Sequence, residues 1–125
     1  MNIFLVGNPL VDFDLMPLKV KPILEKEFPK IQFLEFDPAE DFPEEEPIFI
    51  DTVINLSEPK LFTSIDKFES LISKNYSVHN FDFYTELVLQ KKLGRKYYII
   101  GVPPKGNREK IAREISKLLK DIIQT

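Results

Sequence analysis

The sequence predicts one α/β domain over residues 1–125, a three-layer open sheet of about five mostly parallel strands with helices on both faces. Three observations carry this. Short, nearly unbroken apolar runs at residues 3–6, 47–53 and 97–102 have the character of strands buried on both faces. Stretches with apolar residues at helical spacing alternate with them. The 125 residues fit a single domain, commonly about 100–150 residues, and contain neither repeat nor linker.

The elements follow in order. Ile3-Phe4-Leu5-Val6 is a first strand, closed by the turn Gly7-Asn8-Pro9. Val20, Ile23, Leu24 and Phe28 define a helix over about 17–28; Pro17 suits its first turn, whereas Pro22 lies inside the pattern and should shift or bend it. Residues 31–36 and 47–53 are the second and third strands, and Leu61-Phe62-Thr63-Ser64 is a short edge strand. Phe83, Leu87 and Val88 begin a helix that stops at Gly94, a good C-cap residue. Residues 97–102 form the last strand, and Ile111, Ile115, Leu118, Leu119 and Ile122 mark a terminal helix over about 107–123.

Composition excludes several chemistries. There is no cysteine and one histidine, so disulfides, thiolate metal sites, cysteine nucleophiles and sites with two histidines from one chain all drop out. No apolar run reaches the roughly 18–20 residues of a membrane span. Met1-Asn2 runs straight into a strand, which leaves no room for a signal peptide; the expected location is the cytoplasm. The net charge of −3 hides an asymmetry: residues 1–90 hold 7 Lys/Arg and 17 Asp/Glu, residues 91–125 hold 10 and 3. The basic tail places Lys105, Arg108, Lys110, Arg113, Lys117 and Lys120 on the polar positions of an amphipathic helix with few aromatics between. That is a solvated or partner-docking face rather than a nucleic-acid groove. The acidic run from Glu35 to Glu46, broken by Pro38 and Pro43, is a loop; it has neither the spacing nor the glycine of an EF-hand.

In open α/β sheets, ligands bind beyond the carboxyl ends of the strands. Three polar segments end there: the stretch from Gly7 to Asp14, Asp51 after the third strand, and Ser77-Val78-His79-Asn80 before a helix. Asp14, Asp51 and His79 offer two oxygens and a nitrogen with positions left open, a reasonable set for a divalent transition metal. Each piece also has an ordinary reading: a plain turn, a capping carboxylate, a helix N-terminal histidine. There is no G-x-G-x-x-G fingerprint, no P-loop and no G-x-S-x-G elbow, and Asp12 with Asp14 is by default a solvated pair.

Together these residues resemble the hydrogenase maturation endopeptidases, which process the large subunit of nickel–iron hydrogenases. Val6-Gly7-Asn8-Pro9-Leu10 is similar to that family's opening G-N-x-L, and Asp14 stands at its acidic position seven after the glycine. Ile50-Asp51 is similar to its aspartate ending the third strand, and Ser77-Val78-His79-Asn80-Phe81 to its histidine segment. The order and spacing agree over nearly the whole chain. The departure is Asp12-Phe13-Asp14-Leu15-Met16-Pro17, where Leu15 and Pro17 replace the family's usual glycines.

The resemblance implies removal of a C-terminal extension from a hydrogenase large-subunit precursor after nickel insertion. Asp14, Asp51 and His79 would be both the metal-contacting and the catalytic residues. The nickel would arrive on the precursor, whose thiolates complete the shell, and no organic cofactor is implied. The alternative is a non-catalytic factor on the same fold that docks a partner or metal. A phosphate-binding turn at Gly7-Asn8-Pro9 is opposed by Asp12 and Asp14 at the same mouth.

Overall fold

A computed structural model describes residues 2–6, 15–37, 41–43, 46–53, 56–63 and 78–123, with residues 78–82 described by their backbone. The elements are β1 (Asn2–Val6), α1 (Met16–Glu27), β2 (Gln32–Glu35), β3 (Ile48–Thr52), β4 (Lys60–Phe62), α2 (Val78–Lys92), β5 (Tyr98–Val102) and α3 (Arg108–Ile123). The strands form one sheet in the order β2-β1-β3-β5-β4. All neighbours are parallel except β4, which runs antiparallel to β5 at the edge.

The strand pattern explains the order. All five residues of β3 are buried, as befits the centre of a sheet covered on both faces. β2 buries only Phe33 and β4 buries only Phe62, and these two strands take the edges. Side chains alternate between faces, so each strand feeds two cores. On one face Ile3, Leu5, Ile48, Ile50, Ile100 and Val102 meet α1 through Met16, Val20 and Leu24, and α3 through Ile111, Ile115 and Leu119. On the other, Val6, Phe49, Val53, Phe62 and Ile99 meet Phe83 and Leu87 of α2. Helices therefore cover both faces, as expected; among the described residues two lie on one side and one on the other.

Phe49 is the hub of the second core. Its ring centroid lies 5.8 Å from Phe4, 5.4 Å from Phe36, 5.3 Å from Phe42 and 5.0 Å from Phe83, all tilted or edge-on. Such arrangements add to plain burial because the ring edge is positive and its face negative.

Local signals set the helix ends. Asn107 caps α3, its Oδ1 accepting the Lys110 N–H at 2.9 Å. α1 starts at Met16 with Pro17 in its first turn, and Pro22 is accommodated on the exposed side without breaking it. Leu15 and Pro17 thus belong to a helix start, where the φ freedom of glycine is not required. α1 and α3 are tied by Glu27, which accepts from the Ser116 hydroxyl at 2.7 Å and pairs with Lys120 at 3.2 Å. The Ser116 hydrogen bond, helped by Lys120, holds this carboxyl below its ordinary value although partial burial pushes it up.

The largest difference from expectation is the start of α2. Sequence periodicity begins a helix at Phe83, but the helix begins at Val78. His79 and Asn80 are therefore part of its first turn, not of a preceding loop. Val78 and Phe81 do not extend the Phe83–Leu87 spacing, so periodicity has nothing to register there.

Candidate functional site

The strand order reverses between β1 and β3. β1 connects through α1 to β2 on one side, while β3 lies against β1 on the other. The crevice at such a switch point, beyond the carboxyl ends of the strands, is where ligands bind in this architecture. Asp51 stands there, in register with Val6, from which residues 7–14 continue.

Asp51 is 3% exposed. A buried carboxylate is costly unless it is hydrogen-bonded, and its Oδ1 accepts the Thr52 N–H at 2.9 Å. By alternation along β3, Asp51 lies on the same face as Phe49 and Val53, the face that α2 covers. On its other flank the register partner is Gly101. A Cβ at Gly101 would come within 2.9 Å of both Val53 Cγ2 and Leu56 Cδ1 and 3.0 Å of Phe62 Cε2. The missing side chain lets these three residues close over the sheet beside Asp51. Gly101→Ala is expected to cost about 1–3 kcal/mol through overpacking, read as a lower denaturation midpoint.

The backbone brings position 79 to the same end. α2 leads through a short connection into β5, which is parallel to β3, so α2 runs opposite to the strands and begins at their carboxyl edge. Tyr97, at the start of β5, donates its hydroxyl to the Leu87 carbonyl at 3.2 Å, which marks the opposite end. Phe83 contacts Phe49 with centroids 5.0 Å apart. From Phe49 to Asp51 is two strand residues, about 7 Å towards the carboxyl edge. From Phe83 to His79 is one helical turn, about 6 Å in the same direction. The two positions thus advance together along the face from one shared contact.

The sequence-derived residues are therefore placed unequally. Asp51 is at the switch point, and His79 is in the first turn of the helix above the same strand end. Asp14 lies outside the described residues. Among the described residues no group of three His, Cys, Asp or Glu side chains is close enough to hold a metal ion. No helix among them is long and apolar enough to cross a membrane.

Thr52 is a residue that motif spacing does not single out. It is 5% exposed, and its Oγ1 has no hydrogen-bond partner among the described residues. It faces the opposite side of the sheet from Asp51. The available signal is the Asp51-Thr52 pair itself, two polar residues ending an otherwise apolar, wholly buried strand.

No protein-family model matches the chain, and no curated protein sequence matches it. Solved structures do. The hydrogenase maturating endopeptidase HybD from E. coli superposes with a TM-score of 0.65 at 15% identity, over 97% of this chain and 93% of that one. The [NiFe] hydrogenase maturation protease HybD from Thermococcus kodakarensis gives 0.58 at 22% identity, over 94% and 97%. The protease HycI from Thermococcus kodakarensis gives 0.51 at 14% identity, over 99% and 92%. This chain has the fold that those maturation proteases share.

Proposed function

We propose that this protein is a processing endopeptidase that cuts the C-terminal extension from a nickel-loaded hydrogenase large-subunit precursor in the cytoplasm. The observation that carries the reading is Asp51, a buried carboxylate ending the central strand at the switch point of a fold shared with hydrogenase maturation proteases. The placement of His79 in the first turn of α2, above the same strand end, supports it.

In this reading the metal belongs to the substrate. Nickel takes nitrogen and oxygen donors as well as thiolate, so a carboxylate and an imidazole suit the positions that a precursor's sulfur ligands leave open. The metal supplies Lewis-acid polarisation of the scissile carbonyl. The chain's own contribution is positional. The Thr52 N–H fixes the orientation of the Asp51 carboxylate, and packing of Phe83 on Phe49 fixes the height of the helix that carries His79. Asp14 is the third donor of the proposal, and Asp14 or Asp51 orients the attacking water.

The test is cleavage of nickel-loaded and nickel-free precursor, followed by the mass of the large subunit. The loaded form should be shortened and the free form left intact, and His79→Ala should slow cleavage by about 100-fold. Normal cleavage by His79→Ala would remove the histidine from the site. Binding of loaded precursor with no change in its mass would identify a docking factor instead of a protease.

A further inference from the structure

At the amino edge of the sheet, opposite the end that carries Asp51, two helices finish side by side. α1 crosses between the parallel strands β1 and β2, so it runs against them and ends at their amino edge with Glu27. α3 packs against α1, and the bonds from Ser116 and Lys120 to Glu27 set its last turns beside that end. A tight turn leads from α1 into β2. The Phe28 N–H donates to the Leu24 carbonyl at 2.9 Å and the Ile31 N–H to the Phe28 carbonyl at 3.1 Å, with Pro29 fixing one φ between them. This turn and the last turn of α3 border an open groove of about 410 Å³. Small-molecule sites commonly have roughly 300–1,000 Å³. Every residue that lines the groove is among the described ones.

The groove is apolar inside and cationic at its rim. Phe28 and Ile31 pack on the core with one side and line the groove with the other. Ile123 completes the apolar lining and is 37% exposed. Apolar surface held in water is unfavourable, so an apolar ligand that covers it gains free energy. Three charged residues line the same space: Glu27, Lys30 and Lys120. Glu27 is already committed, because its Oε1 accepts both the Ser116 hydroxyl at 2.7 Å and the Lys120 ammonium at 3.2 Å. An ammonium carries three donors, so Lys120 has others to offer. Lys30 is exposed and makes no ion pair among the described residues. Two ammoniums against one carboxylate leave one positive charge unbalanced.

We propose that this groove binds a small amphiphilic monocarboxylate. Its aliphatic part lies against Phe28, Ile31 and Ile123, and its carboxylate meets the ammoniums of Lys30 and Lys120. The unbalanced charge selects a singly charged anion over a cationic amphiphile of the same length. Lysines act as point charges and lack the planar fork that arginine offers, so charge and chain decide the fit more than headgroup shape does. The groove is open to water on one side, and the affinity is modest. For a ligand of about a dozen non-hydrogen atoms the dissociation constant is about 0.1–1 mM. The site lies at the far edge of the sheet from Asp51 and stands independently of any cleavage there.

Nuclear magnetic resonance titration of the full chain with decanoate tests this. Decanoate should shift the signals of Phe28, Ile31 and Ile123, leave that of Asp51 in place, and saturate a single site. Decylammonium, with the same chain and the opposite charge, should bind about tenfold more weakly or worse. Lys30→Gln removes the cation that is not paired with Glu27 and should weaken decanoate by about threefold or more. Ile123→Ser, on an exposed side chain, should weaken both amphiphiles by about threefold or more. Circular dichroism verifies that each variant folds. Shifts that spread over the surface without saturating, no shift at the groove, equal binding of decylammonium, or folded Lys30→Gln and Ile123→Ser that bind decanoate as the wild type does would overturn the proposal.

Discussion

Asp51→Asn is expected to slow cleavage of a nickel-loaded precursor by about 100-fold or more while leaving the melting temperature nearly unchanged. The separation follows from what the carboxylate does in the fold. Its Oδ1 accepts the Thr52 N–H, and the carbonyl oxygen of an asparagine of equal size can accept the same bond. Burial of the group at 3% exposure costs less for a neutral amide than for a charge, so the strand end does not depend on the ionised form. Under the proposed function, what the amide loses is the anionic donor offered to the precursor's metal. Asp51→Ala is different, because it also leaves the Thr52 N–H without that acceptor, at about 1–3 kcal/mol. Mass spectrometry of the precursor, with thermal melting of both variants, separates the two effects. Full cleavage by a folded Asp51→Asn would show that the carboxylate is structural only.

Phe49→Ala should be the most damaging single change to stability, by about 3–5 kcal/mol. The side chain is fully buried, and four aromatic rings lie within 5.8 Å of its centroid. Those rings come from separate parts of the chain: Phe4 from β1, Phe36 from just beyond β2, Phe42 from the connection into β3, and Phe83 from α2. Their geometry is mutually constrained, so they cannot all move to fill the void, and the cavity term is retained. Domains of this kind are stable by only about 5–15 kcal/mol, so a large share is lost. Urea unfolding should give a lower midpoint with the same slope. A loss under about 1 kcal/mol would mean that the neighbouring rings repack freely.

The strong features of the fold were legible because each rests on a local pattern. The apolar runs at Ile3–Val6 and Ile48–Ile50 can be satisfied only by strands covered on both faces. The apolar stripe of α3, from Ile111 to Leu119, is a helix by periodicity alone. The weak run at Leu61 is a three-residue antiparallel edge, as its length suggested. The start of α2 was not legible, because a helix placed by its contact with Phe49 needs no periodic pattern in its first turn. The position of Asp51 at a strand end followed from the topology rule for α/β sheets. Its burial did not, since a carboxylate ending a strand is ordinarily solvated; Gly101 and the covering residues Val53, Leu56 and Phe62 decide it. That the Thr52 hydroxyl has no partner among the described residues likewise depends on which neighbours close over it, information that residue spacing does not contain.

The sheet order also places the site in time. Asp51 is flanked by Val6, 45 positions earlier in the chain, and by Gly101, 50 positions later. During synthesis the aspartate emerges well before its second neighbour, and β5 must insert between β3 and β4 to complete the sheet. Until roughly the last fifth of the chain has left the ribosome, there is no closed strand end to hold the carboxylate. A nascent chain or a product truncated before β5 therefore carries every sequence motif of the candidate site without the strand end on which the proposed function depends.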